Sequence, residues 1–288
     1  MTTPSRLILA FLCIVGVALA KPAPVTRPMS EQLGLQLWSL RGAFIKNPSE
    51  ALDLAKSYGI TEVETAGTAR MSPEQFRVEL DQRGLKAVSS HMSYERLQND
   101  LDGALAEAQA LGAKWVIIPI LPNRDSFDHE RAMETAANFN RWGKAFRAAG
   151  IGFGYHPHGF EFGPGKTAGK TLFEEMVEAT NADDVHYEMD VFWVVHGGAD
   201  PVRLLRQYAG RWVALHIKDM RKGVKTGSNV GSAPAEDNVA VGAGQIDWPS
   251  VLRTAREVGV QYFFIEDETV DATANIPASL QYLRGLKL

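Results

Sequence analysis

The segment HPHGFEF, residues 156–162, brings two imidazoles and a carboxylate close together in the chain. His156, His158 and Glu161 are residue types that bind divalent metal ions or carry protons in catalysis. The segment follows the apolar run GFGY, so it begins where a buried strand is expected to end. The pattern indicates a catalytic or metal-binding site, with a surface charge beside two histidines as the alternative.

Three later apolar runs also end in a residue of this kind. Asp190 ends VHYEMD, His216 ends WVALH, and Glu266 ends YFFIE. If these side chains and Glu161 meet at one edge of a sheet, three carboxylates repel one another or take up protons unless a cation lies between them. Hard oxygen ligands with one imidazole favour Mn²⁺, with Mg²⁺ or Co²⁺ as alternatives and Zn²⁺ less favoured. The capping of a following helix by Asp190 and a core role for His216 are the plainer alternatives.

Eight short apolar runs are predicted to be the strands that position these residues. They are Leu33–Trp38, Thr61–Thr65, Leu85–Ser90, Lys114–Pro119, Gly152–His156, Val185–Asp190, Trp212–His216 and Tyr262–Glu266. Helical patterns lie between many of them, and each pattern is followed by a glycine that can end a helix in the left-handed conformation. The predicted helices are Asn47–Tyr58, Ser72–Gln82, Asp100–Leu111, Arg131–Ala148, Pro201–Tyr208 and Pro249–Val258.

The alternation of strands and helices predicts an α/β fold, a single (β/α)8 TIM barrel. Runs such as WVIIP and YFFIE are apolar throughout, as expected of parallel strands covered on both faces. An open doubly wound sheet is the alternative, but SLRGAF rather than a glycine-rich phosphate loop follows the first strand. In a barrel the active site lies at the carboxyl ends of the strands, where the candidate residues are found.

Composition restricts the function further. Residues 1–20 carry Arg6, an apolar run and an A-x-A pattern, which predicts a signal peptide, and residues 21–30 read as a flexible leader before a domain at 31–288. The apolar run is too short for a membrane span, so we expect an exported protein, periplasmic or secreted, with no stable span after cleavage. Cys13 is the only cysteine, so disulfides and thiolate ligands are excluded from residues 21–288.

Charge and size point to a small-molecule partner. The formal net charge is −4, which gives no support for nucleic acid or an anionic membrane as a partner. A chain of 288 residues with 45% hydrophobic residues can bury the core of one barrel. A homo-oligomer is compatible with the sequence.

Five motifs together resemble the sugar phosphate isomerase/epimerase family of xylose isomerase-like TIM barrels. They are H-x-H-x-x-E-F at His156–Phe162, E-x-D-x-x-W at Glu188–Trp193, H-I-K-D at His216–Asp219, G-x-G-x-I-D-W at Gly242–Trp248 and I-E at Ile265–Glu266. The resemblance implies that Glu161, Asp190, His216 and Glu266 bind one divalent metal. It also implies that Glu161 and Glu266 face each other across the substrate as the catalytic acid/base pair.

The chemistry implied is proton abstraction beside a carbonyl. A metal on the carbonyl oxygen makes the adjacent C–H more acidic, and one glutamate can take the proton while another returns it. Epimerisation or isomerisation through an enediolate is the first expectation. Loss of a β-hydroxyl or β-alkoxy group, as in a periplasmic 3-keto-glycoside lyase or dehydratase, is the second. A secreted sugar-binding protein without turnover is the alternative of another class.

Seven further side chains are candidates for contact with a carbohydrate. Glu64, His91, His156 and His158 lie at or just beyond the ends of predicted strands, and Lys218 shares a strand face with His216. Trp38 and Trp193 are candidates for an apolar wall, with core packing as the alternative. The long segment 221–244 is either a loop that closes over substrate or an insertion without fixed structure. Since sugar phosphates are cytosolic, export favours an unphosphorylated sugar or keto-sugar as the substrate.

Overall fold

The structure is a computed structural model that describes residues 28–122, 124–227 and 231–288. Its main feature is a closed barrel of eight parallel strands in the order β1-β10-β7-β6-β5-β4-β3-β2. The strands are β1 Leu33–Gln36, β2 Glu62–Thr65, β3 Lys86–His91, β4 Trp115–Ile118, β5 Gly152–Tyr155, β6 His186–Asp190, β7 Trp212–Ile217 and β10 Tyr262–Ile265. All eight predicted strands are therefore present, with ends that differ by one or two residues. The predicted TIM barrel is confirmed.

Helices connect the strands and form the outer layer. They are α1 Arg41–Lys46, α2 Pro48–Ser57, α3 Pro73–Gln82, α4 Tyr94–Asn99, α5 Leu101–Leu111, α6 His129–Ala148, α7 Leu172–Ala179, α8 Val191–His196, α9 Pro201–Gln207, α10 Trp248–Glu257 and α11 Ala272–Gly285. The six predicted helices correspond to α2, α3, α5, α6, α9 and α10. The sequence pattern did not reveal α1, α4, α7, α8 or α11. The six residues of α8, VFWVVH, are too apolar to show a helical period.

Glycines end the predicted helices as expected. Gly112 follows α5 with φ of 72°, and its N–H donates to the carbonyls of Ala108 and Gln109. Glycine adopts this left-handed conformation at little energetic cost, unlike other residues. Gly112 therefore turns the chain from α5 into β4. The repeated helix–glycine–strand pattern in the sequence therefore reflects one recurring backbone geometry.

Large side chains packed against glycines fill the amino-terminal end of the barrel, which we call the barrel bottom. A Cβ atom on Gly152 would lie 2.2 Å from Cε3 of Trp115, and one on Gly34 would lie 2.7 Å from Cδ1 of Phe264. Phe264 and Trp115 pack with Val88, Val213, Ala214 and Tyr262 in one apolar cluster. The pairing of a large ring with a glycine lets the rings fill the interior of the barrel bottom.

The segment 221–244 forms a loop whose described parts contact the barrel. Short strands β8 Asp219–Met220 and β9 Asn238–Val239 pair antiparallel at its base. The Asp219 carboxylate accepts hydrogen bonds from the backbone N–H groups of Gly242 and Gly244 at 2.8 and 3.1 Å. Arg221 pairs with Asp237 rather than presenting a free guanidinium to a phosphate. Closure of this loop over substrate stays a prediction.

The amino-terminal predictions fall largely outside the described residues. The predicted signal peptide, residues 1–20, and residues 21–27 of the predicted leader are in that part of the chain. Met29–Glu31 forms a 3-10 turn, and Met29 packs in the barrel core. Among the described residues, no helix has the length and apolar character needed to cross a membrane.

Candidate metal centre and active site

A cavity of about 400 Å³ opens at the carboxyl ends of the barrel strands, which we call the barrel mouth. Five of the predicted site residues line it together with Glu266. The lining residues are Trp38, Ala66, His91, Pro119, Ile120, His156, His158, Lys218, Glu266 and Glu268. Seven of the eight strands contribute to the lining, either directly or through the residues that follow them; β6 is the exception. The barrel topology therefore positions the site.

Three of the four predicted metal ligands meet beneath this cavity. Ligand atoms of Asp190, His216 and Glu266 lie within 4.8 Å of one another, and all three residues are buried. Nδ1 of His216 lies 3.3 Å from Oε2 of Glu266 and 3.9 Å from Oδ2 of Asp190. Parallel pairing explains the approach, because Asp190 aligns with His216 across β6 and β7.

The two oxygens of Asp190 have different roles. Oδ1 accepts a hydrogen bond from the backbone N–H of Trp193 at 3.1 Å and so caps α8. Oδ2 is buried and accepts no hydrogen bond from the described residues. Nitrogens of His156, Lys218 and His216 lie 3.6, 3.7 and 3.9 Å from it. The capping alternative is therefore compatible with a ligand role, since each function uses its own oxygen.

Positive and negative groups at the mouth stabilise each other's charges. Burial alone would raise the pKa of Glu266, but Lys218 at 3.2 Å and His216 lower it well below its usual value. Burial would lower the pKa of Lys218, but Glu266 and Asp190 raise it. For Asp190, burial outweighs these cations and the pKa is raised. The ammonium thus offsets part of the carboxylate charge.

A second group of potential ligands lies deeper in the barrel. It consists of His91, His156, Glu188 and His216, whose ligand atoms also lie within 4.8 Å of one another. Oε2 of Glu188 is 3.1 Å from a nitrogen of each of the three imidazoles. The imidazoles lower the pKa of Glu188 well below normal, although burial acts in the opposite direction. His216 belongs to both groups.

Glu188 is a site residue that the sequence reasoning did not select. It lies two residues before Asp190, so strand alternation points both side chains to the same face. The E-x-D spacing was therefore a usable signal. The E-x-D-x-x-W motif contains Glu188, but the family resemblance implies a role for Asp190 alone.

The predicted substrate residue Glu64 lies below the cavity rather than on its surface. Its carboxylate is fully buried and accepts hydrogen bonds from Gln36 at 2.7 Å and Ser89 at 2.5 Å. Oε1 also lies 2.6 Å from Nε2 of His216 and 2.9 Å from Nε2 of His91. Burial would lower the pKa of His91, but Glu64 and Glu188 raise it to about 9. Glu64 therefore supports two imidazoles and, together with Glu188, favours the protonated form of His91.

The structure does not bring Glu161 to the other predicted ligands. Its carboxylate accepts hydrogen bonds from the Tyr155 hydroxyl and, at 3.1 Å, from the backbone N–H of His158. Neither group of close ligand atoms among the described residues includes it. The physical reason is the turn after β5, where Gly159 has φ of 97° and a 3-10 turn follows over Phe160–Phe162. That turn directs the side chain back under the strand end.

Burial nevertheless changes the pKa of the Glu161 carboxyl. Burial raises this pKa to about 7, although hydrogen bonds from Tyr155 and the backbone act to lower it. Through its contact with the His158 N–H, Glu161 fixes the segment His156–His158 that lines the cavity. The geometry thus gives Glu161 a positioning contact in place of the predicted opposed carboxylate.

His158 and Trp193 occupy one side of the mouth. Their rings are 5.0 Å apart, and Nζ of Lys218 lies 5.2 Å from the centre of the Trp193 ring. Enclosure in the barrel, together with the charges of His156 and Lys218, lowers the pKa of His158 well below its usual value. Its Nδ1 makes no hydrogen bond with the described residues. Trp193 packs against His158 and Lys218 and does not line the cavity.

Trp38 forms the opposite wall and is 45% exposed. Its indole N–H donates to Oε1 of Glu268 at 3.0 Å, and the other oxygen of Glu268 accepts from Lys218. Glu268 also lines the cavity, although the sequence reasoning did not select it. It lies two residues beyond Glu266 at the end of β10, a spacing that resembles E-x-D on β6.

The residues present fit a divalent metal ion. Asp190, His216 and Glu266 offer oxygen and nitrogen donors without sulfur, and the unpartnered Oδ2 of Asp190 is a buried acceptor directed into that group. An isolated buried acceptor is costly unless a cation or donor satisfies it. The donor set is compatible with Mn²⁺, Mg²⁺, Co²⁺ or Zn²⁺.

The closed parallel barrel and the polar residues at its strand ends define a TIM-barrel protein with a carboxylate–imidazole site at its mouth. The chain belongs to the xylose isomerase-like TIM barrel family, whose profile matches residues 52–286.

Several individual proteins are similar to this chain. An inosose dehydratase from Clostridium tetani is 26% identical over 164 residues, which cover 54% of this chain and 54% of that protein. The chain thus spans about half the length of this relative. A sugar phosphate isomerase/epimerase from Parabacteroides distasonis has a similar structure, with a TM-score of 0.70, 25% identity, and coverage of 92% of this chain and 97% of that one.

A third similar structure is the IolI protein, described with a bound zinc atom. It has a TM-score of 0.64 and 16% identity, and the match covers 88% of this chain and 95% of IolI. At this identity the likeness concerns the fold alone.

Proposed function

We propose that the protein is a divalent-metal-dependent lyase that removes water or an alcohol from the position β to the ketone of an unphosphorylated keto-sugar. The sequence favoured an isomerase or epimerase and placed the 3-keto-glycoside lyase or dehydratase second. Two observations favour elimination over isomerisation. The dehydratase name of the C. tetani relative supports elimination, and the position of Glu161 supports it more strongly.

The placement of Glu161 is the observation that carries this proposal. Epimerisation by the predicted mechanism needs two carboxylates that face each other across the substrate. The Glu161 carboxylate instead contacts Tyr155 and the His158 backbone. The cavity is lined by the carboxylates of Glu266 and Glu268, the imidazoles of His91, His156 and His158, and the Lys218 ammonium. Burial lowers the pKa of His158, whereas Glu64 and Glu188 raise the pKa of His91 against the effect of burial. A neutral base and a protonated acid suit elimination, in which one proton is removed and another is donated to a leaving oxygen.

Each group in the mouth has a proposed role. Asp190, His216 and Glu266 would hold the metal, which when bound supplies Lewis-acid polarisation of a substrate carbonyl. His158, neutral at pH 7, accepts the proton from the carbon beside the ketone. The C–H electron pair forms the new double bond as the β C–O bond breaks. His91, protonated at pH 7, donates a proton to the leaving oxygen, while Lys218 stabilises negative charge on the substrate.

Isomerase or epimerase activity is the second candidate. Its support is the likeness to the P. distasonis protein, which matches nearly the whole of both chains at 25% identity. In that case His158 and Glu266 would have to exchange the proton between the two faces of the substrate. No β C–O bond would break.

The metal and the cellular location are also part of the proposal. We propose Mn²⁺ as the ion, with Zn²⁺, which is bound by IolI, as the principal alternative. The predicted signal peptide over residues 1–20 supports an exported protein and hence an unphosphorylated substrate.

Product analysis in D₂O tests the proposed function. The Mn²⁺-loaded protein is incubated with 3-keto-glucosides, keto-inositols and simple ketoses. The lyase predicts release of an alcohol or water with formation of an unsaturated ketone. Deuterium incorporation beside the carbonyl without C–O cleavage supports the isomerase or epimerase instead. If neither occurs with any substrate, the proposed chemistry is wrong.

A further inference from the structure

A second cavity of about 400 Å³ adjoins the one at the barrel mouth. Trp38 and Ala66 line both, so the two spaces are neighbours that share a wall. The second cavity lies between α1 and the segment that joins β2 to α3. None of the proposed ligands Asp190, His216 and Glu266 lines it. A substrate that extends from the proposed metal site past Trp38 would therefore enter a space of different chemistry.

Two features set this cavity apart from ordinary surface. Trp38, 45% exposed, and Ile45, 86% exposed, are two of the four large apolar side chains exposed in the described part of the chain, and both line it. Ala69 and Arg70, also in the lining, have φ of 52° and 68°, which non-glycine residues rarely adopt. Exposed apolar surface and backbone strain of this kind occur together at binding sites.

The shared wall is held in place before any ligand binds. The Trp38 indole N–H donates to Glu268 at 3.0 Å, and the guanidinium carbon of Arg41 lies 5.5 Å from the centre of the Trp38 ring. Arg41 also donates to the backbone carbonyls of Trp38 and Glu268 at 3.2 and 3.0 Å. A fixed aromatic wall loses little conformational entropy when a second ring stacks on it.

The chemical character of the lining favours some substrate groups over others. Of the described residues that line it, none has a carboxylate, amide or hydroxyl side chain. Leu, Trp, Phe, Ile, Pro, Ala and Gly are joined only by Arg41 and Arg70. A second sugar ring would lose hydrogen bonds for hydroxyl groups buried here. An aromatic ring would bury apolar area and meet guanidinium groups, which interact favourably with π faces and phenolic oxygens.

We infer that this cavity is the leaving-group subsite and that the substrate is a keto-glycoside of a phenol. The inference rests on the proposed function. The proton leaves the carbon between the ketone and the anomeric carbon, a double bond forms between that carbon and the anomeric carbon, and the anomeric C–O bond breaks. The leaving oxygen takes one proton and departs as a phenol, so the reaction needs no oxidant, reductant or added water.

Binding of unreactive glycosides tests the subsite separately from turnover. Phenyl glucoside, methyl glucoside and cellobiose lack the ketone, and their affinities for the Mn²⁺-loaded full chain are measured by calorimetry. Phenyl glucoside is expected to bind at least about tenfold more tightly than the other two, because the phenyl ring buries apolar area. I45S should remove about fivefold of this preference. V78S is the matched control, since Val78 is also exposed but lines neither cavity, and it should leave the preference unchanged.

The outcomes separate the two proposals. Tightest binding of cellobiose overturns the aromatic assignment, and equal binding of all three glycosides overturns the subsite. An unchanged phenyl preference in I45S places the ring elsewhere and also contradicts the inference. In a second measurement, kcat/KM is compared for the 3-keto derivatives of phenyl and methyl glucoside. Equal turnover contradicts the subsite alone, whereas no turnover of either, with phenyl-selective binding intact, contradicts the lyase alone.

Discussion

Each end of the barrel contains a histidine on a strand, buried at the mouth and partly buried at the bottom. The surroundings shift the pKa values of these two histidines in opposite directions. At the mouth, burial would lower the pKa of His216, but Glu188 and Glu266 raise it well above its usual value. At the bottom, burial and the nearby Arg211 lower the pKa of His186 to about 4. His186 packs edge-on against Trp115 with ring centres 5.1 Å apart.

This difference shows how one fold separates stability from chemistry. The bottom is closed by rings packed on glycines, and its imidazole is neutral. The mouth gathers buried carboxylates whose charge must be offset by imidazoles, an ammonium or a bound cation. Phe264 forms the boundary, since its ring lies 6.3 Å from His216 on one side and stacks with Tyr262 on the other. Changes at the two ends should therefore alter different properties.

Removing one charge from the proposed metal group should have the largest effect. We expect D190N to lower the metal content below one ion per chain and to lower kcat/KM by about a thousandfold. The amide is a poor ligand, and its lack of charge weakens the attraction of the site for the ion. Metal analysis and initial rates are the measurements. D102N changes an exposed aspartate on α5 and serves as the control. Full metal content with full activity in D190N would contradict a metal at this group.

Replacing the proposed base should reduce turnover without releasing the metal. For H158N we expect kcat to fall by about a hundredfold, because the amide cannot accept a proton at neutral pH. H129N is the control, since His129 pairs with Glu175 and does not line the cavity at the barrel mouth. Steady-state kinetics with the metal content measured in parallel gives the answer. Wild-type kcat in H158N would require another base.

The bottom histidine should affect stability rather than turnover. The unfolded chain protonates this histidine below pH 6.5, whereas the folded protein holds it neutral down to about pH 4. Its contribution is thus complete above pH 6.5 and is lost as the pH falls toward 4. Since the ring is partly exposed, we expect a loss of about 1 to 2 kcal/mol.

Urea unfolding of wild type and H186N at pH 7.5 and pH 4.5 measures this contribution. The wild type should lose more stability than the variant over this interval. An equal loss in both proteins would show that His186 is not held neutral in the fold.

The smallest effect is expected for Glu161. E161Q keeps an oxygen that can accept from the His158 N–H, so metal content should stay at the wild-type value and kcat should fall by only about tenfold. A metal ligand would instead lose the ion, and an indispensable base would lose several orders of magnitude. The comparison of E161Q with D190N therefore separates a positioning contact from a ligand.

The sequence predicted the barrel well because its signals are local. Each strand is an apolar run, and glycines such as Gly112 mark helix ends through backbone conformation alone. Asp190, His216 and Glu266 could be placed together because parallel strands bring their carboxyl ends to one edge. The three shortest helices, α1, α4 and α8, were missed because six residues carry no clear period.

Other parts of the site depend on geometry that the sequence does not reveal. Glu161 lies beyond Gly159, and the left-handed turn there decides where its carboxylate points. Glu188 was accessible through strand alternation, but its three imidazole partners come from β3, β5 and β7. The second cavity combines residues from α1 and the β2–α3 connection, and no motif spans both.

Anomalous scattering from crystals of the Mn²⁺-loaded protein tests directly whether Asp190, His216 and Glu266 hold the metal. We expect one strong manganese peak bound by the side chains of Asp190, His216 and Glu266, and loss of that peak in D190N. A peak bound instead by His91, His156 and Glu188, or no peak at the barrel mouth, would contradict it.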